Sequence, residues 1–122
     1  MKVRLQPENL NLKRAYEKPA AGDGVRILVD RLWPRGVSRS GAAIDMWMKE
    51  IAPSSSLRKW FNHDPARWDE FRAQYKMELC QKSELVNQLR DLIAKGQVSL
   101  IYSARDQAHN DAVVLQEVLL DK

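Results

Sequence analysis

The segment Val25-Arg-Ile-Leu-Val-Asp-Arg-Leu-Trp-Pro-Arg-Gly36 joins an apolar run to an abrupt polar turn. Its first six residues are β-branched or aliphatic at most positions, which predicts a central strand buried on both faces. Pro34 and Gly36 then favour a turn, so the chain leaves the sheet here. We therefore expect charged and aromatic side chains to gather where this strand ends.

Outside this segment, the sequence predicts two or three further strands and four helices. Residues 98–102 form a second buried strand, residues 10–16 alternate as a strand does, and residues 44–51, which show no clean period, are interpreted as a strand. Capping residues and helical spacing predict four helices: a short helix after Ser54, a helix over 65–81, a helix closed by Gly96, and a terminal helix that the exit at Ser103 leads into. The helix over 65–81 is expected to bury one stripe of side chains, namely Trp68, Phe71, Tyr75 and Leu79.

This order of elements predicts a small layered α/β domain with a short, mostly parallel central sheet flanked by helices. A length of 122 residues fits one domain, 1–122. The single cysteine cannot form an internal disulfide, and no apolar run reaches the length of a signal or membrane segment. We therefore expect a cytoplasmic protein with no membrane partner.

The net charge of +4 is unevenly distributed. Residues 1–40 carry nine Lys and Arg against four Asp and Glu, whereas residues 41–122 carry eleven against twelve. A basic surplus of this kind is compatible with an anionic small molecule or a nucleic acid as partner. A solvated surface with no such partner explains the same charge.

Ligands of parallel sheets bind beyond the carboxyl ends of the strands, and two such exits carry suitable side chains. Arg31 and Arg35 follow one strand, and Ser103 and Arg105 follow the other. If both exits share an edge, the arginines could fork onto a phosphate or carboxylate while Ser103 donates a hydrogen bond. Alternatively, Asp30 pairs with an arginine and Ser103 only caps a helix.

Two further pairs of residues, one charged and one aromatic, each have two alternative roles. Lys49 and Glu50 could act as an acid and base or form an exposed ion pair. Trp33 and Trp47 could stack on a base or pack over the sheet edge. No zinc spacing, Walker loop or dinucleotide fingerprint is present, so we expect no metal and no cofactor.

Four segments closely resemble the YeaO-like family, domain of unknown function 488. They are Val25 to Gly36, with its uninterrupted Asp-Arg-Leu-Trp-Pro-Arg-Gly; Asp45-Met-Trp-Met-Lys-Glu-Ile-Ala-Pro-Ser54; Leu57-Arg-Lys-Trp-Phe61; and Leu100-Ile-Tyr-Ser-Ala-Arg105 with Asn110. The resemblance leaves residues 1–9 as a short N-terminal extension. It implies a small bacterial cytoplasmic α/β domain and a shared site, not a reaction. The site residues carried over by position are Asp30, Arg31, Trp33, Arg35, Gly36, Lys49, Glu50, Ser54, Tyr102, Ser103 and Arg105.

Two functions follow from these residues. In the first, the protein recognises a phosphate or nucleotide and could act as an enzyme on a nucleic acid or nucleotide, with Asp30 or Glu50 as general base and Tyr102 or Lys49 as general acid. In the second, it is a non-catalytic module that binds protein or nucleic acid. Convergence of the candidate side chains in a concave pocket would favour the first, and a flat arrangement the second.

Overall fold

A computed structural model describes residues 5–120 of the chain. In this part of the chain, four strands form one sheet in the order β1-β4-β2-β3, and every neighbouring pair is parallel. The strands are β1 Leu10–Arg14, β2 Val25–Leu28, β3 Met46–Trp47 and β4 Val98–Tyr102. The predicted α/β class and mostly parallel sheet are confirmed, and β4 is the strand that joins β1 to β2.

Five helices are present in the described part of the chain. They are α1 Arg39–Ala42, α2 Ser55–Phe61, α3 Trp68–Cys80, α4 Ser83–Lys95 and α5 Asp111–Leu119. Side chains cap the first turns of α1, α2 and α5. The Ser54 side chain caps α2 by accepting from the backbone N–H of Leu57 at 3.2 Å. The Asp64 carboxylate accepts from the N–H of Ala66, and a 3₁₀ turn at Pro65–Arg67 leads into α3.

The helices α2 to α5 bury one face of the sheet. Alternate strand residues such as Ile27 and Leu100 join Leu89 of α4 and Leu115 of α5 in one apolar cluster. The predicted stripe on α3 contributes Phe71, Tyr75 and Leu79, which are buried, whereas Trp68 is half-buried at its end. The Tyr75 hydroxyl donates to the carbonyl of Ile51 at 2.8 Å, so its one polar group is satisfied inside the core.

The opposite face of the sheet is covered by loop residues. Leu28 and Ile101 pack there under Trp33 and Trp47, whose rings meet edge to face at 5.5 Å. The Trp33 indole N–H donates to the carbonyl of Val37 at 2.7 Å, and the Trp47 indole N–H donates to the carbonyl of Asp30 at 2.8 Å. Both tryptophans therefore pack over the sheet, which is the second of the two roles considered for them.

A buried ion cluster ties the chain before β2 to β1. The Asp23 carboxylate lies 2.5 Å from a guanidinium nitrogen of Arg26 and 3.0 Å from the Lys13 ammonium. Burial alone would raise the pKa of Asp23, but hydrogen bonds from the Ala20 backbone, Lys13 and Arg26 hold it below its usual value. Removing one member of such a cluster leaves an uncompensated buried charge, so the cluster fixes this side of the sheet.

The start of the terminal helix differs from the prediction. Residues 103–110 form a loop, and the Asn110 side chain, rather than Ser103, caps α5 by accepting from Val113 N–H at 3.1 Å. The reason is local, because the Asp106 carboxylate accepts from the backbone N–H groups of Ala108 and His109. Such side-chain turns compete with helical hydrogen bonds. The expectation that the exit at Ser103 leads straight into a helix was therefore wrong.

Truncation of the buried stripe on α3 should lower stability strongly. We expect Phe71→Ala to reduce the free energy of unfolding by about 3–5 kcal/mol, because it removes a buried aromatic side chain and leaves a cavity. Met77→Ala, at a position of the same helix that is 70% exposed, is the control and should change it by about 0.5 kcal/mol or less. Urea unfolding measures both, and equal losses would contradict the burial described here.

Candidate functional site

A cleft of about 510 Å³ opens at the carboxyl ends of β2 and β4. The segment after β2 lines it from Asp30 to Arg35, and Ser103 and Ala104 line it after β4. This is the edge at which parallel sheets bind ligands, because side chains and backbone N–H groups there are not used by the sheet. Of the eleven site residues carried over by position, five line this cleft, namely Asp30, Arg31, Trp33, Arg35 and Ser103.

Asp30 is held by donors from two other strands. One carboxylate oxygen accepts from the backbone N–H of Ser103 at 2.9 Å and from its hydroxyl at 2.8 Å. The carbonyl oxygen of Asp30 accepts from the indole N–H of Trp47 at 2.8 Å. Ser103 thus serves as a hydrogen-bond donor to Asp30, a role that neither sequence-based alternative for it included.

Asp111 lies beside Asp30 and shares the cleft with it. Burial, the neighbouring Asp30 charge and a hydrogen bond between the two carboxyl groups together raise the pKa of Asp111 well above its usual value. Two adjacent carboxyl groups cannot both ionise cheaply, so the pair favours sharing one proton. The sequence analysis missed Asp111, because an acidic residue in the first turn of a helix is an ordinary feature.

Three guanidinium groups line the cleft with these carboxyls. Arg31 and Arg35 follow β2, and Arg58, which the sequence analysis missed, lies on α2. Within residues 5–120, none of the three forms an ion pair with a carboxylate within 4.0 Å. These three guanidinium groups outnumber the two carboxyl groups of Asp30 and Asp111, so positive charge is in excess among these groups of the cleft.

Arg31 is the most enclosed of the three arginines. Its side chain reaches the carbonyl of Pro53 with one long hydrogen bond of 3.5 Å. Its Nε atom is buried and has no hydrogen-bond partner among the described residues. A buried guanidinium donor without a partner is uncommon and costs free energy.

The structure places the other six predicted residues, Gly36 among them, outside the lining of the cleft. Lys49 and Glu50 are exposed in a 3₁₀ turn, where the Lys49 ammonium lies 4.7 Å from the Trp47 ring centre. Tyr102 is buried in the main apolar cluster, and burial raises its pKa. The structure therefore does not bring Lys49, Glu50 or Tyr102 to the carboxyl group of Asp30 in this cleft.

The two remaining binding candidates have other surroundings. Ser54 caps α2, and its hydroxyl donates to the Glu78 carboxylate at 2.6 Å. Arg105 is exposed in the loop after β4. The cleft is thus lined by Arg31, Arg35 and Arg58, and Arg105 is not among its lining residues.

Two histidines also line the cleft. His63 has a positive φ of 54°, which is uncommon for a residue with a side chain, and its ring lies 6.5 Å from that of Phe61. The His109 ring nitrogen Nδ1 lies 2.9 Å from the Asp106 carboxylate.

Over the described residues 5–120, no three His, Cys, Asp or Glu side chains are grouped closely enough to hold a metal ion. In the same range, no helix is long and apolar enough to cross a membrane.

The fold and cleft define a small parallel α/β domain with a site at one sheet edge, and comparison with known proteins assigns its family. Residues 9–122 match the family described as "Inactive DUF488-N3 subclade", and the chain belongs to this family. The predicted resemblance to the YeaO-like DUF488 proteins is confirmed.

Two relatives show how far the similarity extends. The uncharacterised protein YeaO of Escherichia coli K12 is 43% identical over 111 residues, which cover 91% of this chain and 96% of the relative. The uncharacterised protein Rv3073c of Mycobacterium tuberculosis H37Rv is 37% identical over 110 residues, which cover 90% and 92%. No solved structure is significantly similar to the chain.

Replacing Asp111 by an isosteric amide should stabilise the protein at neutral and higher pH. A carboxyl group with a raised pKa in the folded state stabilises the fold below its ordinary value of 3.8 and loses that contribution as the pH rises through the folded pKa. Asp111→Asn cannot ionise, so the difference in unfolding free energy from the unmodified protein should be larger at pH 8 than at pH 3.

Urea unfolding at the two pH values measures this difference. Asp91→Asn, at an exposed position on α4, is the control and should show no such pH dependence. Destabilisation by Asp111→Asn of the same size at both pH values would contradict a shared proton between Asp111 and Asp30.

Proposed function

We propose that this protein binds a small anionic molecule, of the phosphate class, in the cleft at the carboxyl edge of its sheet. The observation that carries the proposal is the placement of Arg31, Arg35 and Arg58 around one cleft without a carboxylate within ion-pair distance in the described part of the chain. Guanidinium groups match the oxygens of phosphate and carboxylate in a forked geometry.

The electrostatics of the cleft support an anion rather than a cation. Like charges in a shared, partly enclosed space repel one another, and an anion between them lowers the free energy of all three. The proton on Asp111 removes a negative charge that would compete with such a ligand. One carboxylate oxygen of Asp30 already accepts hydrogen bonds from the N–H and the hydroxyl of Ser103.

We further propose that binding occurs without turnover. The description of the family as an inactive subclade supports binding without catalysis, a question that the sequence left open. The cleft is concave, so a protein that binds a compact ligand fits it better than one that presents a flat surface to a macromolecule.

An enzyme remains the second candidate because of one observation, the carboxyl pair. A protonated Asp111 beside an ionised Asp30 supplies a general acid and a general base within one cleft. In this alternative Asp30 keeps its predicted role as base, and Asp111 takes the role of acid. The reaction would be one of proton transfer to or from a phosphorylated substrate such as a nucleotide.

Inorganic phosphate should raise the melting temperature of the protein. At about one hundred times its Kd, a ligand of the native state stabilises by about 2.7 kcal/mol, which corresponds to several degrees for a chain of this size. Sodium chloride at matched ionic strength separates specific binding from screening. We expect Arg35→Ala and Arg58→Ala each to abolish the rise.

Arg105→Ala is the matched control, since Arg105 is an exposed arginine in the loop after β4 and does not line the cleft. It should keep the full phosphate effect. An equal phosphate effect in Arg35→Ala, Arg58→Ala and Arg105→Ala would overturn the proposed site.

Turnover distinguishes the two candidates. Incubation of the protein with nucleoside monophosphates, followed by chromatography, should show no product if the protein only binds. Product that disappears in both Asp30→Asn and Asp111→Asn, while phosphate still raises the melting temperature of these variants, would favour the enzyme.

Random duplex DNA should bind weakly. The basic residues are interspersed with acidic ones, so we expect affinity within the non-specific range of about 10⁻⁴ to 10⁻⁶ M at physiological salt. Fluorescence anisotropy with a labelled duplex measures it across a salt series. Nanomolar binding with a steep salt dependence would instead support a nucleic-acid-binding module.

A further inference from the structure

Tyr16 is an aromatic side chain at the cleft whose role the phosphate site does not explain. It is 49% exposed, and it lines the cleft together with Leu32, which is 60% exposed. Within residues 5–120 only two other large apolar side chains, Trp60 and Met77, are exposed, and neither lines the cleft. Half of the exposed large apolar side chains are therefore concentrated at one opening.

The Tyr16 ring is fixed in position by contacts at two points. Its hydroxyl donates to the carbonyl of Arg35 at 3.0 Å. The Arg14 guanidinium lies over the ring, 5.0 Å from its centre, and is itself held by the carbonyls of Ala104 at 2.9 Å and Ser103 at 3.2 Å. A ring held in this way loses little conformational freedom when another ring stacks on it.

The contacts of the ring bear on which of its faces is open. Arg14 lies over one face, and because the residue as a whole is 49% exposed, we infer that the other face is accessible. The guanidinium above the first face does not compete with stacking on the second. The hydroxyl bond also joins the ring to the backbone of Arg35, so the ring lies beside the segment that carries one of the cleft arginines.

The two tryptophans considered for base stacking are less suitable. Trp33 has the Arg39 guanidinium 4.1 Å from its ring centre and the Trp47 ring against it. Trp47 has the Lys49 ammonium near its ring as well. Both rings are thus used in packing, whereas Tyr16 keeps an accessible face.

We propose that the ligand is a nucleotide, whose phosphate lies between the cleft arginines and whose base stacks on Tyr16. This inference rests on the proposed phosphate site and adds the chemical class of the rest of the ligand. Aromatic stacking is tolerant of base identity, so the geometry selects a planar ring on a phosphate ester without selecting the base. A cleft of about 510 Å³ lies in the range of about 300–1,000 Å³ that is usual for small ligands.

Calorimetric titration of the whole chain with three probes tests the inference. The probes are inorganic phosphate, ribose 5-phosphate and adenosine 5′-monophosphate. Stacking of one base predicts that the adenosine nucleotide binds about 5- to 140-fold more tightly than ribose 5-phosphate. A 5′-phosphorylated single-stranded oligonucleotide is titrated in parallel. Tighter binding of this oligonucleotide than of the free nucleotide would identify the end of a nucleic acid as the ligand, and weaker binding would identify the free nucleotide.

Substitutions of Tyr16 assign the preference to its ring. Tyr16→Leu should reduce the ratio between the nucleotide and ribose 5-phosphate to about one while phosphate binding persists. Tyr16→Phe, which keeps the ring and loses the bond to Arg35, should retain a higher ratio than Tyr16→Leu. Trp60→Leu is the matched control, because Trp60 is an exposed aromatic residue outside the cleft, and it should leave the ratio unchanged.

The outcomes separate this inference from the proposed function. Equal affinities for the nucleotide and ribose 5-phosphate, or an unchanged ratio in Tyr16→Leu, would overturn the stacking of a base on Tyr16 and leave the phosphate site standing. Absence of binding by all three probes would overturn the phosphate site, and the nucleotide with it. The comparison of probes in the unmodified protein decides the first question even if a variant fails to fold.

Discussion

The Asp30 carboxylate is the contact on which the geometry of the cleft depends. It accepts two hydrogen bonds from Ser103, and the carbonyl of the same residue accepts one from Trp47, so the ends of β2, β3 and β4 meet at one residue. Its contact with Asp111 adds the beginning of α5. A partly buried carboxylate that loses its donors is costly, so these four elements are held together. Arg31 and Arg35 therefore extend from a fixed edge of the sheet. The charge of Asp30 also helps to raise the pKa of the neighbouring Asp111.

Those parts of the fold that depend on local signals were predictable from the sequence. The β2 and β4 segments are rich in apolar residues, as is typical of strands covered on two sides, and Asp64 with Pro65 marks the beginning of the α3 region. The order of the strands was not predictable, because it depends on contacts between residues such as Leu10 and Val98 that lie far apart in the chain. The beginning of α5 was misplaced because the Asp106 side chain forms a local turn that delays the helix.

The site was predictable to the extent that it is built from the two strand exits. Asp30, Arg31, Arg35 and Ser103 follow buried strands, and parallel strands bring such residues to one edge. The residues that complete the cleft come from segments with no chemical signal of their own. In the sequence, Arg58 is typical of the exposed face of a short helix, Asp111 is typical of an acidic residue in a first helical turn, and Tyr16 ends a predicted strand. Only the packed structure shows that these three residues line one cleft. The roles suggested for Lys49 and Glu50 stay predictions.

The position of β4 in the sheet has a consequence for biosynthesis. This strand lies between β1 and β2, with Val98 opposite both Leu10 and Val25, although it is the last strand to be made. A nascent chain that ends before residue 98 has no partner for β1 and pairs β2 only with the two residues of β3. Its strand edges are then open to other chains, which is the condition under which incomplete polypeptides aggregate. The sheet is therefore complete only after residues 98–102 have left the ribosome, and we expect chains that terminate before them to be substrates of chaperones and proteases.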